Sequence, residues 1–308
     1  MRPASVRVPA SAANLGPGYD SFGLALGLYN TFRATPSAQW SVSVEGEGRG
    51  TLDQGAANQV ALAMARVFAE VSGAPIAARI ECENGIPAGR GLGSSAAAIV
   101  GGLLLGDTMC GGLLGRERLL ELAVDMEGHP DNVAAALLGG FTIGWRGPDG
   151  PAARALPIGC GLAAVVAVAA APLLTSASRG LLPEVVPHED AAFNAGRAAL
   201  LAAGLVLGRD ELIAAGLADR LHEPYRAAAV PGLADVAQVL KHAGALGAVL
   251  SGAGPTVIGI VTADDDASAF ARAKDVARRA SKRVIAIGGY IAPMALPVDR
   301  SGTAVLEG

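Results

Sequence analysis

Aromatic residues are scarce in this chain. They make up 4% of 308 residues, so a core has to be built from Ala, Val, Leu and Ile. Basic blocks are absent and the net charge is −4, which argues against a nucleic-acid surface. Cysteine is sparse: Cys82, Cys110 and Cys160 show no CxxC spacing, which argues against a disulfide frame or zinc site and fits reduced thiols in a cytoplasmic protein. His129, His188, His222 and His242 form no HExxH pair, so a structural transition metal is not expected. The first 14 residues lack the apolar stretch of a signal peptide. Long hydrophobic runs are also missing. Residues 158–174 reach the short edge of a membrane span, but Gly159, Gly161 and Pro172 interrupt them and their Val-rich centre suits a buried strand. The expectation is a soluble protein with no nucleic-acid or membrane partner.

Glycine, by contrast, is abundant. The stretch Pro87-Ala88-Gly89-Arg90-Gly91-Leu92-Gly93-Ser94-Ser95-Ala96-Ala97 packs glycines at alternate positions and then runs into an apolar segment over 96–105. Glycine opens backbone conformations that a Cβ forbids. A glycine loop feeding a helix N-terminus points free N–H groups and the positive end of the helix dipole at one place, which suits an anion. A plain turn with a serine N-cap fits the same letters, and the loop alone leaves both readings open. It has no Lys, so it is not a Walker A loop, and serines stand where a Rossmann helix packs its third glycine. A triphosphate bound here would need Mg²⁺ to offset its charge. Ser95 is one candidate ligand and Glu127 the next carboxylate in reach.

At 308 residues the chain suits one large or two medium domains. Alternation predicts strands over 5–9, 29–35, 40–45 and 76–83, the first three as a meander. Helical spacing predicts helices over 56–71, ended by Gly73 and Pro75, and over 119–126 and 133–138. A strand follows over 141–145. Residues 146–155, with Gly-Pro-Asp-Gly-Pro, look like the linker. Beyond it come a strand near Val165, a turn over 175–179, and helices over 191–207, 210–217 and 233–243. A second glycine motif follows around Gly252 and Gly254, then a helix over 267–280 and a strong strand over 284–290. This order suggests a small α/β sandwich with helices on one face.

The polar residues suggest a ligand. Asn14 and Asp20 share one turn, while Arg179 and Arg226 each follow a turn in the second half. Acceptors together with guanidinium forks fit a zwitterionic amino acid, with carboxylate to Arg and ammonium to Asp and Asn. Surface ion pairs are the plain alternative for each Arg. His129 beside Asp131 is either an acid–base pair or part of a capped turn, with Asp131 or Asn132 as the cap. Asn58 sits where it could cap a helix.

Taken together, three motifs resemble those of the GHMP kinase superfamily and, within it, the homoserine kinase family. They are Pro9-Ala-Ser-Ala-Ala-Asn14-Leu-Gly-Pro-Gly-Tyr-Asp20-Ser-Phe-Gly-Leu24, the Pro87–Ala97 loop, and Leu250-Ser-Gly252-Ala-Gly254-Pro-Thr256. Glu127-Gly-His-Pro-Asp-Asn132, Arg179-Gly-Leu-Leu-Pro183 and His222-Glu-Pro-Tyr-Arg226 are similar to segments of the same family. The resemblance implies ATP-dependent phosphorylation of L-homoserine to O-phospho-L-homoserine in threonine biosynthesis. Another small-molecule kinase of the superfamily, or a non-catalytic ligand-binding protein on the same fold, is the alternative.

The implied fold is α+β with two domains. An N-terminal ATP-binding domain like domain 2 of ribosomal protein S5 spans 1–155, and a ferredoxin-like C-terminal domain spans 156–308, often in a homodimer. The resemblance assigns residues 87–97 to the triphosphate, Ser95 and Glu127 to Mg²⁺, and Asn58 to the adenine side. Gly252 and Gly254 would shape the floor beneath the phosphates. Asn14, Asp20, His129, Asn132, Arg179 and Arg226 would surround homoserine, and Asp131, Asn132, Arg179 and Glu127 would form the catalytic centre. Relatives such as mevalonate kinase place an Asp base near this Asp131-Asn132 position, where homoserine kinases have Asn. A dedicated base is therefore not expected, and Arg90 has no assigned role.

Overall fold

The computed structural model describes residues 2–71 and 76–306. The stop signals at Gly73 and Pro75 lie outside the described residues. The chain opens with β1 (Ala4–Ala13), β2 (Phe22–Ser37) and β3 (Ser41–Gly46), followed by α1 (Gln59–Val71) and β4 (Ala77–Asn84). Next come α2 (Ser94–Met109), α3 (Arg116–Glu127), α4 (Pro130–Leu138), β5 (Phe141–Gly147) and β6 (Gly150–Leu156). The remainder is β7 (Gly161–Ala167), α5 (Thr175–Arg179), α6 (His188–Leu207), α7 (Asp210–Gly216), α8 (Glu223–Arg226), α9 (Leu233–Ala243), β8 (Gly247–Leu250), β9 (Val257–Ala263), α10 (Asp266–Ile287), β10 (Met294–Pro297) and β11 (Ala304–Val305).

One sheet runs β11-β1-β2-β4-β3, with the β5–β6 hairpin paired to the start of β2. The expected meander fails at its third strand. β3 pairs in parallel with β4, and β4 lies between it and β2. The physical reason is the intervening helix: parallel neighbours need a crossover, and α1 supplies it. The expected linker over 146–155 is also corrected. Gly147-Pro148-Asp149-Gly150 makes the tight turn of the β5–β6 hairpin, so the same turn residues that suggested a domain break reverse one pair of strands.

The second sheet runs β10-β7-β9-β8. β7 is buried along its whole length, and its alternate residues serve two cores. Ala163, Val165 and Ala167 pack with Val236 and Leu240 of α9 and Val276 of α10. Leu162, Ala164 and Val166 join the larger core, with Leu201 and Leu205 of α6 and Ile213 of α7. The face of this sheet that carries Ala163, Val165 and Ala167 is covered by α9 and α10, and its other face joins the larger core. A strand apolar on both sides shows no alternation, which is why the run resembled a span. By length and composition α6 also passes as a membrane-crossing helix.

The strand expected over 284–290 is replaced by the end of α10. Ala269, Ala273, Val276, Ala277, Ala280 and Val284 keep helical spacing on one buried face, so tertiary packing carries the β-branched residues Val284, Ile285 and Ile287 into the helix. The strand role passes to β10, which pairs with β7. All three cysteines are free, and burial pushes the Cys82 thiol up to about 12.

Candidate active site

The β1–β2 turn carries its own strain. Asn14, Leu15 and Asp20 have φ of 69°, 50° and 55°. Asn and Asp tolerate this left-handed region, whereas a Leu there costs about 1–2 kcal/mol. Cross-chain bonds hold the turn in place: Asn14 Nδ2 donates to the Gly252 carbonyl at 2.9 Å, and Asn14 Oδ1 accepts from the Asp20 N–H at 3.0 Å. The first motif and the C-terminal glycine motif are thus tied together.

The glycine loop lies against the same place. Ser251 Oγ donates to the Gly91 carbonyl at 2.6 Å. Gly93 is the N-cap of α2 at φ 70°, and a Cβ on it would overlap Ser11 Oγ. Neither Ser94 nor Ser95 caps α2 with its side chain, contrary to the expected serine cap. Ser95 Oγ instead donates to Glu127 Oε2 at 2.8 Å. Burial pushes the Glu127 carboxyl above its ordinary range, the Ser95 hydrogen bond and His129 opposing it. A carboxylate costly to ionise, next to a hydroxyl and at the mouth of a helix N-terminus, fits a hard divalent cation that also takes phosphate and water oxygens.

Across from this corner, Arg179 grips Asp20 with both Nη atoms, at 2.5 and 3.0 Å, and donates to Tyr19 Oη at 2.9 Å. Arg226 is nearly fully buried, which excludes the surface-ion-pair reading. His129 holds the N-cap position of α4 without capping it. Its Nδ1 lies 2.5 Å from Asp131 Oδ1, which also accepts from the Asn132 N–H at 2.7 Å. So neither Asp131 nor Asn132 acts as the expected cap; the Asp131 carboxylate orients its two neighbours. Burial lowers the His129 pKa, but Asp131 and Glu127 outweigh it and the ring is pushed above its ordinary value. Ser11 Oγ donates to Asn132 Oδ1 at 2.9 Å and fixes that side chain.

These groups share one open cleft. It is lined by Asn14, Asp20, Gly89, Gly91, Gly93, Ser94, Ser95, Glu127, His129, Asp131, Asn132, Arg179, Arg226, Gly252 and Gly254, together with Leu173, Thr175 and Ala253. A second cavity shares Gly89, Ser94 and Ser95 with it and is lined by Ala88 and Asn58. Asn58 Oδ1 accepts from the Val60 N–H at 2.9 Å, so it caps α1 and lines the cavity at once. Leu92, Ala96 and Ala97 face the core, and Pro87 lines neither cavity. Arg90 points away, Nη1 donating to the Ala169 carbonyl at 2.5 Å. It pins the loop to the end of β7.

The comparisons with known proteins fit this geometry. Residues 57–140 match the family model described as GHMP kinases N terminal domain, and residues 197–278 match GHMP kinases C terminal. A homoserine kinase of Clavibacter michiganensis subsp. michiganensis is 42% identical over 310 aligned positions, covering 99% of this chain and 94% of that protein. The chain belongs to the homoserine kinase family. A homoserine kinase of Moorella thermoacetica is 45% identical over 253 residues, covering 82% of this chain and 86% of that one. The crystal structure of a homoserine kinase from Cytophaga hutchinsonii superposes with a TM-score of 0.86 at 28% identity, over 99% of this chain and 98% of that one. The two-domain α+β fold is therefore that of the homoserine kinases.

Sequence reasoning missed the supports of this cleft. Ser11, Tyr19 and His222 all sit inside segments already singled out, but only packing reveals that they hold Asn132, Arg179 and Arg226. Glu223 was missed as well. Its buried carboxyl accepts from the Leu250 N–H at 2.5 Å, at the start of the C-terminal glycine motif, and burial pushes it up to about 8. A folded-state pKa raised from 4.5 to about 8 gives a stability term present below pH 4.5 and lost as pH rises through about 8. Glu223→Gln is therefore expected to flatten the fall in thermal midpoint between pH 6 and 9. A parallel fall in both proteins would show that the group ionises without cost.

Proposed function

We propose that this protein transfers the γ-phosphoryl group of ATP to the hydroxyl of L-homoserine, giving O-phospho-L-homoserine and ADP in the route to threonine. One observation carries the reading. A single cleft sets a glycine cradle and the Ser95–Glu127 pair opposite an Asp20–Arg179 pair and a buried Arg226, so phosphate-, ammonium- and carboxylate-binding groups converge.

The chain's residues divide the work. The free N–H groups at the start of α2 and the glycines on both sides take the phosphate charge. The side chain of Asn58 and the second cavity receive the base. A zwitterion offers both members of the Asp20–Arg179 pair a new partner, ammonium to Asp20 and carboxylate to Arg179, with Arg226 adding a second cation. Asn14 and Asn132 present amides to the same ligand, and His129 lines its wall. Ser95 and Glu127 would hold Mg²⁺, which when bound offsets the charge of the phosphates.

No side chain is needed as a dedicated base. Phosphoryl transfer has a loose transition state, and positioning plus charge neutralisation supply most of the rate. Asp131 Oδ1 is already engaged by His129 and the Asn132 N–H. The hydroxyl proton passes to the transferred phosphoryl group itself. Asp131→Asn keeps an acceptor there and is expected to cost less than about 10²-fold in kcat. A loss of about 10³-fold or more, with both substrates still bound, would assign the proton to Asp131. The function itself is tested by incubation with ATP, Mg²⁺ and L-homoserine and mass spectrometry of the product. O-phospho-L-homoserine is expected; ADP formed at the same rate without homoserine would overturn the reading.

A further inference from the structure

Arg226 is a cation in an unusual setting. It is 1% exposed, and no carboxylate lies within ion-pair range of it among the described residues. Its Nη1 reaches His222 Nδ1 at 3.1 Å and the Gly252 carbonyl at 3.2 Å, while its buried Nε has no partner. His222 precedes α8 and is wholly buried.

The partners of the ring fix its proton. His222 Nε2 lies 2.7 Å from the Gly16 carbonyl, which can only accept, so Nε2 carries the hydrogen. A guanidinium can only donate, so Nδ1 offers Arg226 a lone pair. The ring is neutral. Asp219 lies 3.8 Å from Nε2 and favours a second proton. However, its oxygens already accept from Asn194 Nδ2 and from the N–H groups of Leu221, His222 and Glu223. Burial outweighs Asp219, Gly16 and Asp20 and, with Arg226, holds the ring below the ordinary histidine pKa. Tyr19 closes the remaining side, its ring 5.4 Å from the imidazole and 5.4 Å from the Arg226 guanidinium.

We propose that His222 is a positioning residue, whose Nδ1 lone pair aims the Arg226 guanidinium into the cleft and so sets the affinity for the carboxylate of the amino-acid acceptor. The inference rests on the homoserine reading of the cleft. The choice of a neutral acceptor has a physical reason. A carboxylate in this place would pair with Arg226 and cancel the charge that the ligand needs, whereas imidazole orients the guanidinium and leaves its charge intact. The same ring ties the turn of the first motif, through Gly16, to the helix that bears Arg226.

Two variants separate the bonds of the ring. His222→Asn puts an amide oxygen near Nδ1 and gives up the bond to Gly16. His222→Gln puts an amide near Nε2, keeps the bond to Gly16, and offers Arg226 no acceptor. With wild type as reference, His222→Gln is expected to raise the homoserine KM about tenfold, with kcat and the ATP KM nearly unchanged, while His222→Asn stays within about threefold. The reverse order, or equal effects of the two, would overturn the inference by assigning the ring to the fold of the Gly16 turn. The ATP KM reports whether each variant is folded. If either fails that control, His222→Ala is assayed with added imidazole: a lowered homoserine KM supports the inference and an unchanged one overturns it. A wild-type protein inactive on homoserine would instead defeat the functional reading, a distinct result.

Discussion

Arg179→Ala is expected to lower kcat/KM for homoserine by about 10²-fold or more while leaving the KM for ATP close to wild type. The size follows from the position of the side chain. Its fork is bonded to both oxygens of Asp20 and to Tyr19, so it is fixed before any ligand arrives. Preorganised guanidinium groups bind carboxylates in two parallel hydrogen bonds, and truncation loses both while leaving Asp20 without its counter-charge. Steady-state kinetics with each substrate varied in turn separates the outcomes. An ATP KM that rises as steeply as the homoserine KM would place Arg179 on the nucleotide instead.

The second large effect is expected at Glu127. Glu127→Gln retains the shape and an acceptor for Ser95 but removes the only charge in the Ser95–Glu127 pair, and kcat is expected to fall on the order of 10²–10³-fold. The dependence of rate on Mg²⁺ concentration should shift upward in the same variant, since a neutral amide is a weaker ligand than a carboxylate. A normal Mg²⁺ dependence with normal kcat would remove Glu127 from the metal site. Ser95→Ala should act in the same direction with a smaller effect, because a hydroxyl contributes no charge.

How much of this was legible in the letters depends on range. The glycine loop, the Asn14–Asp20 turn and the His129–Asn132 segment announced themselves because each is a local conformational requirement, such as a positive φ or a helix start, written in adjacent residues. The errors are failures of range. Val284 to Ile287 has strand-like composition, yet α10 keeps it because its buried face continues to Val284. β4 enters between β2 and β3, a choice made by the crossover through α1 and invisible in the alternation of any one strand. The Gly147–Gly150 turn signals were recognised, but whether a turn ends a domain or reverses a hairpin is decided by what the flanking strands pair with.

The site shows the same division. Most residues that face the cleft were named from the sequence, Leu173, Thr175 and Ala253 excepted; those that hold them were not. Ser11 orients Asn132, Tyr19 meets both arginines, and His222 lies against Arg226 from four positions away on one helical turn. A helical i, i+4 pairing of His222 with Arg226 was available from spacing alone. The tautomer that makes the pairing useful depends on the Gly16 carbonyl, which only the folded chain brings there.

The central claim is the choice of acceptor, and one assay addresses it most directly. ADP release is measured with the purified protein, ATP and Mg²⁺, and with L-homoserine, mevalonate, galactose or shikimate in parallel. The cleft, with an acid and two arginines around the acceptor, predicts turnover with homoserine alone, since the other three lack an ammonium group for Asp20. Release of ADP driven by any of the other three at a comparable rate, or none with homoserine, would contradict it.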